Sequence, residues 1–270
     1  MIKQVILIVI ILLYGMIFRS NIKNDRLVYL DIGNGDATLI QFEDKTILID
    51  GGPGNNILYK LALYDIVLQP QFDVLILTHY HDDHYAGLIE LMDRYQIGAL
   101  IVLDRCDHEV ISQRLGLSDK VHVIKVSGGD RLTLSENMQI DFIYPQPPDD
   151  AKCVNPDKSN ENENSLVLVV SIYDKKYLFT GDAEYRSESK ILGCCFQQIG
   201  GSEVLQAGHH CSKTSNSLAF LEVVAPKEVV CSTSFDNPFG HPSPEVIKRI
   251  VEAGYDLHIS YEQGDRVVIL

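Results

Sequence analysis

Thr78-His79-Tyr80-His81-Asp82-Asp83-His84 places three imidazoles and two carboxylates within six positions. The run Val74-Leu75-Ile76-Leu77 before it is continuously apolar and predicts a buried strand. Residues two apart in an extended segment point the same way, so His79 and His81 can share one cation. Asp83 and His84 follow at the turn and can face a second. Imidazole nitrogens and carboxylate oxygens at this spacing suit zinc, or a borderline metal such as manganese or iron. A strand end is also where catalytic loops sit.

Working outward, Asp182 and His209-His210 stand at the ends of two more expected strands, Lys176 to Thr180 and Val204 to Ala207. A carboxylate has two oxygens and can bridge two metal ions, which makes Asp182 a candidate bridge. His209 and His210 add further ligands. Ser212-Lys213-Thr214 falls where a helix is expected to start, and helix amino ends receive anions, so Lys213 is a candidate phosphate contact. His241 lies in the rigid run Asn237-Pro238-Phe239-Gly240-His241-Pro242, which suits a positioned functional group. Asp50, at a strand end beside Gly51 and Gly52, can orient the metal-binding loop through hydrogen bonds or simply form an Asp-Gly turn. His108, His122 and His258 receive no role.

The remaining pattern is mixed α/β. Strands are expected at 27–32, 37–42, 46–49, 74–77, 99–103, 131–134, 138–144, 165–172, 176–180, 204–207, 227–231, 257–260 and 266–270. Helices are expected at 57–66, 85–95, 107–115, 217–224 and 244–253, with another opening after Glu184. Residues 145–164 form the longest irregular stretch, a length that in a compact domain marks function or mobility.

The net charge of −14 and pI near 5.0 argue against a broad basic surface that grips duplex DNA. They leave room for a nuclease in which cations and a local lysine handle one phosphate. The six cysteines form no C-x-x-C pair and no regular framework, which points to reduced thiols rather than a zinc knuckle or disulfide scaffold. Val5 to Phe18 is nearly all apolar, between Lys3 and Arg19. It is shorter than the ~20 residues that span a bilayer comfortably and fits a signal-peptide core or a short anchor. The expected organisation is therefore an N-terminal hydrophobic anchor or signal segment at 1–26, touching the membrane through residues 2–18, and a catalytic domain at 27–270. Localisation is expected to be membrane-anchored or secreted, of bacterial type, with the side of the membrane open.

Taken together, Leu30-Asp31-Ile32-Gly33-Asn34-Gly35-Asp36, Leu48-Ile49-Asp50-Gly51-Gly52, the Thr78–His84 stretch with Gly87, Asn164 to Leu168, Phe179-Thr180-Gly181-Asp182, Gly208-His209-His210 and Asn237 to Pro242 resemble the metallo-β-lactamase superfamily. Within it, they resemble the hydrolase domain of the ComEC-like competence proteins, which act in DNA uptake. The resemblance covers about residues 27 to 270. It implies an αββα sandwich of two mixed sheets flanked by helices, with the metal site at one edge between the sheets. It implies two divalent metal ions, zinc first and manganese second. His79 and His81 then hold the first ion, Asp83 and His84 the second, with Asp182 bridging. His210 completes the second ion's ligands, with His209 and His241 as competitors for that place. The family's third histidine of the first site is not visible before Ser165; Asn162 or Asn164 stands where it would fall. The implied function is metal-dependent hydrolysis of a phosphodiester, in DNA for instance, by a metal-activated hydroxide. Asp83, Asp182, His209 and His241 are its catalytic candidates, and Ser212, Lys213 and Thr214 contact substrate. The alternatives are hydrolysis of a carbonyl ester, lactone or lactam at the same centre, or a non-catalytic membrane-tethered binding module.

Overall fold

The computed structural model describes residues 25–66, 71–104, 115–117, 121–147 and 162–270. The expectations for residues 1–24, Cys106, His108 and Cys153, and for most of the 145–164 loop, fall outside these residues. Among the described residues no helix is long and apolar enough to cross a membrane.

Two seven-stranded mixed sheets face each other. The first carries β1 (Arg26–Tyr29), β2 (Thr38–Phe42), β3 (Lys45–Ile49), β4 (Gln71–Ile76), β5 (Gln96–Leu103) and β6 (Val123–Val126), joined at its edge by β14 (Arg266–Ile269) in the order β14-β1-β2-β3-β4-β5-β6. The second runs β13-β12-β11-β10-β9-β8-β7, from β7 (Arg131–Ser135), β8 (Met138–Tyr144), β9 (Val167–Ile172), β10 (Lys175–Phe179), β11 (Val204–Gln206), β12 (Glu228–Cys231) and β13 (Asp256–Ile259). In each sheet four strands pair antiparallel and the rest continue parallel: β3 to β6 in one, β10 to β13 in the other. The helices are α1 (Asn56–Ala62), α2 (Asp82–Met92), α3 (Tyr185–Cys194), α4 (Phe196–Ile199), α5 (Leu218–Val224), α6 (Pro244–Glu252) and α7 (Ser260–Gln263). This is the αββα sandwich that the family resemblance implied.

A strand buried on both faces reads as an unbroken apolar run, and β9 shows why. Leu168, Val170 and Ile172 face the core between the sheets, while Val167 and Val169 face a second core under the helices. Tyr29 and Phe179 bind the sheets together, their rings stacked 5.7 Å apart. The folded unit begins before Leu27: Leu270 N donates to Asp25 O (3.1 Å) and Arg26 pairs with Ile269.

Three local expectations are corrected. Helix α2 starts at Asp82 rather than Tyr85, so Asp83 and His84 sit in its first turn, where acidic side chains favour the positive end of the helix dipole. No helix starts at Ser212–Thr214. Helix α5 begins at Leu218, capped by Ser217 Oγ, which accepts from Phe220 N (3.2 Å), because residues 209–211 and Asn216 are spent on left-handed turns. Finally, the described cysteines are not free thiols: Cys211 pairs with Cys231 and Cys194 with its neighbour Cys195. Cys231 ends β12 and Cys211 follows the adjacent parallel strand β11, with Cα atoms 5.6 Å apart, a proximity that only the sheet order creates.

Candidate metal centre

The parallel strands deliver their carboxyl ends to one edge of the sandwich. Asp50 follows β3, His79 to His84 follow β4, Asp182 follows β10 and His209-His210 follow β11. His79, His84, Asp182 and His210 are all buried, and His81, Asp83 and His209 partly so.

Asp50 resolves in favour of orientation. One of its oxygens accepts from Thr78 N (2.8 Å); the other accepts from Thr78 Oγ1 (2.7 Å) and faces His84 Nδ1 at 2.8 Å. That contact fixes the imidazole with Nε2 toward Asp182 Oδ1, 3.2 Å away. His210 is set the same way. Its Nδ1 donates to Ser232 O (3.0 Å), and its Nε2 stands 3.5 Å from Asp182 Oδ1 and 3.4 Å from Asp83 Oδ2. On the other side of Asp182, Oδ2 lies 3.5 Å from His79 Nε2 and 3.8 Å from His209 Nε2. His81 Nδ1 is 3.1 Å from His79 Nε2.

The loop that carries His209 and His210 is backbone-strained. His209, His210 and Cys211 all have positive φ, at 47°, 52° and 62°, and non-glycine residues held there cost of order 1 kcal/mol or more each. Neighbouring contacts hold them. Asn216 reads both groups of Gly208, accepting from its N and donating to its O (each 3.1 Å). Ser215 Oγ donates to the same carbonyl at 2.6 Å, and buried Glu188 accepts from Asn216 N and Ser217 N. The Cys211–Cys231 link adds a covalent tie to β12.

Charge follows from this geometry. Burial pushes the His84 pKa down, but Asp182 and Asp50 hold it well above the usual imidazole range. His210 is likewise raised against burial, by Asp182 and Asp36. Burial pushes Asp182 and Asp83 up; the surrounding imidazoles win and hold both carboxyls below their ordinary range. His81 falls to about 4 through burial and the proximity of His79, and His241 to about 4 through burial and His209.

The donor set fits cations. His84 Nε2, His210 Nε2 and Asp182 Oδ1 are buried without a hydrogen-bond partner although they converge on one another. Buried polar atoms are seldom left so. Groups with mutually close donor atoms include His79-His84-Asp182, Asp83-His84-His210 and Asp36-Asp182-His210. Nitrogen and carboxylate oxygen of this kind suit zinc and its first-row neighbours.

Three residues of the site make contacts that the sequence did not assign them. Asp36, read as part of a turn, is buried with both oxygens unpartnered, 3.5 Å from His210 Nδ1. Glu184 accepts from Thr214 Oγ1 (2.8 Å) and faces His209 Nδ1 at 2.9 Å, and this hydrogen bond to His209 lowers its pKa. Asn162 Nδ2 reaches His209 Nδ1 at 3.3 Å. Glu184 lies two residues beyond Asp182, an i, i+2 spacing that was its available signal. Ser212 and Thr214, expected at substrate, hydrogen-bond to each other at 2.9 Å beside Glu184. Lys213 is exposed and does not line the cleft. That cleft, about 550 Å³, is bordered by Asn34, Tyr85, Asp182, His209, Phe239 and His241 among others.

A family model for the metallo-beta-lactamase superfamily matches residues 30–109. ComE operon protein 3 of Bacillus subtilis is 26% identical over 88% of this chain and 33% of its own length. Recombination protein 2 of Haemophilus influenzae is 30% identical over 82% and 26%. Endoribonuclease ysh1 of Schizosaccharomyces pombe is 23% identical over 91% and 30%. The chain thus spans about a third or less of these relatives. Among solved structures, the metallo-beta-lactamase fold protein YhfI of Bacillus subtilis superposes with a TM-score of 0.60 at 15% identity, over 90% of this chain and 99% of that one.

Proposed function

The chain belongs to the metallo-β-lactamase superfamily, and from that membership we propose that it is a divalent-metal-dependent phosphodiesterase acting on nucleic acid. The observation that carries the proposal is the placement of Asp182, with one oxygen toward His79 and His209 and the other toward His84 and His210. Such a carboxylate would stand between two cation positions. The first would be held by His79 and His81, the second by Asp83, His84 and His210. Divalent cations there supply Lewis acidity, acidifying a water and offsetting the charge that develops on a phosphoryl oxygen.

The chain's own groups do the rest. Asp50 and Ser232 hold His84 and His210 with Nε2 inward. Glu184 faces His209 Nδ1 at 2.9 Å and so orients the ring with Nε2 toward Asp182 and the cleft, in position to pass a proton to a leaving oxygen. The endoribonuclease among the relatives favours a phosphodiester as the scissile bond.

The test is turnover of bis(p-nitrophenyl) phosphate and a single-stranded DNA oligonucleotide by the purified chain with Mn²⁺ or Zn²⁺. Asp182→Ala should lower the rate at least about 100-fold. Full activity in a His81→Ala, Asp83→Ala double variant would overturn the proposal.

One observation favours a second reading. Among the described residues no lysine or arginine borders the cleft, which suits an uncharged carbonyl substrate. A lactone or β-lactam turned over more than tenfold faster than the diester would establish that reading instead.

A further inference from the structure

Phe239 is an aromatic side chain that folding does not use. It is 67% exposed, yet it borders the same cleft as Asp182, His209 and His241. Its ring lies nearly parallel to the His241 imidazole, at 21° and 6.0 Å between centroids. The loop beneath it is fixed from within. Asn237 Oδ1 accepts from Phe239 N (3.1 Å) and His241 N (3.0 Å), and Asn237 Nδ2 donates to Ser234 O (2.7 Å). An apolar ring held in water on a braced turn, at the mouth of a polar site, is arranged for a flat partner.

Charge says what kind. A protein that binds nucleic acid through its backbone spends lysines and arginines on phosphates. This chain carries a net charge of −14, and among the described residues no lysine or arginine borders the cleft. If its substrate is a nucleic acid, affinity beyond what the metal centre gives one phosphate has to come from the bases. Base-on-aromatic stacking requires no charge, tolerates sequence and needs an unpaired strand.

We propose that Phe239 is a stacking platform for the nucleobase next to the scissile phosphate, making single-stranded nucleic acid the substrate class. This rests on the phosphodiesterase reading of the metal centre. A base on Phe239 would set the register of the strand, with the adjoining phosphate over Asp182. Phe235, on the same loop and 84% exposed, does not border the cleft and provides the control.

The experiment compares an ordinary single-stranded oligonucleotide with one of the same length that is abasic throughout. Fluorescence anisotropy and kcat/KM are measured on the full chain loaded with Mn²⁺. The native protein should bind the base-bearing strand at least tenfold more tightly. Phe239→Ala should erase that preference and leave affinity for the abasic strand within twofold; Phe239→Trp should keep it; Phe235→Ala should change neither strand by more than twofold. Equal binding of both strands by the native protein, equal losses on both in Phe239→Ala, or a loss in Phe235→Ala matching that in Phe239→Ala would each overturn the proposal. Preferential binding of the base-bearing strand without cleavage would support stacking while defeating the phosphodiesterase reading, so the two fail separately.

Discussion

At the level of single residues, the centre is a balance between protons and cations. His84 and His210 have pKa values raised well above the ordinary imidazole range because Asp182, Asp50 and Asp36 outweigh burial. In the metal-free protein the direction of both shifts favours the doubly protonated ring. The sign follows. Their contribution to the stability of the metal-free fold is fully present below about pH 6.5, the unperturbed imidazole value, and is lost as pH rises through the raised folded values. Cation binding runs the other way, because a ligating imidazole must give up its Nε2 proton. Metal affinity should rise with pH, and loading should release protons. Titration calorimetry in two buffers of different ionisation enthalpy reads this directly; identical heats in both would refute it. The ligand types themselves were legible because His79 to His84 are contiguous and each remaining candidate follows an apolar strand. Asp36 was not, since it looks like any turn residue until the second sheet brings His210 against it; Asn162 was marked only as a stand-in for a missing histidine, and its contact with His209 is a fact of tertiary packing.

At the level of elements, the strand ends hold their geometry because α2 docks very closely on the loop after β3. Gly51 N donates to His84 O (2.7 Å) and Gly87 N to Gly52 O (2.9 Å). A methyl at Gly87 would land on the Gly51 carbonyl oxygen, backbone that cannot rotate away. Gly87→Ala should therefore cost about 1–3 kcal/mol, despite the better helix propensity of alanine, and should loosen metal binding by shifting His84. Gly193, in α3, would meet nothing within 4 Å, so Gly193→Ala should be neutral or stabilising by up to about 1 kcal/mol. Thermal melts and metal titration of the two variants check the contrast; equal behaviour would remove the docking argument. Strand and helix positions were readable to within a few residues, as apolar runs and amphipathic spacing allow. The boundaries that moved did so for local reasons that periodicity does not carry. Acidic residues at 82 and 83 pulled α2 forward; α5 starts within a residue of its expected place, and left-handed residues at 209 to 211 keep Ser212 to Thr214 from opening a helix of their own. The Cys211–Cys231 pairing depends on β11 lying beside β12, a fact of tertiary order.

At the level of the whole molecule, the acidic balance governs how any nucleic acid can bind. Each phosphate neutralised by a cationic side chain on a single strand contributes about −0.7 to the slope of log affinity against log salt. A net charge of −14, with no lysine or arginine among the described residues at the cleft, leaves room for few such contacts. One or two of them predict that raising KCl from 50 to 200 mM, at fixed metal, weakens oligonucleotide binding less than about tenfold. A basic binding surface with six or more contacts would lose about a thousandfold or more on a duplex over the same range. Anisotropy titrations at four salt concentrations give the slope. A shallow slope agrees with recognition through the metal centre and a stacked base. A slope steeper than about −3 would mean that cationic side chains away from the cleft hold the strand, and the proposed division of labour between cations at the centre and rings at its mouth would fall.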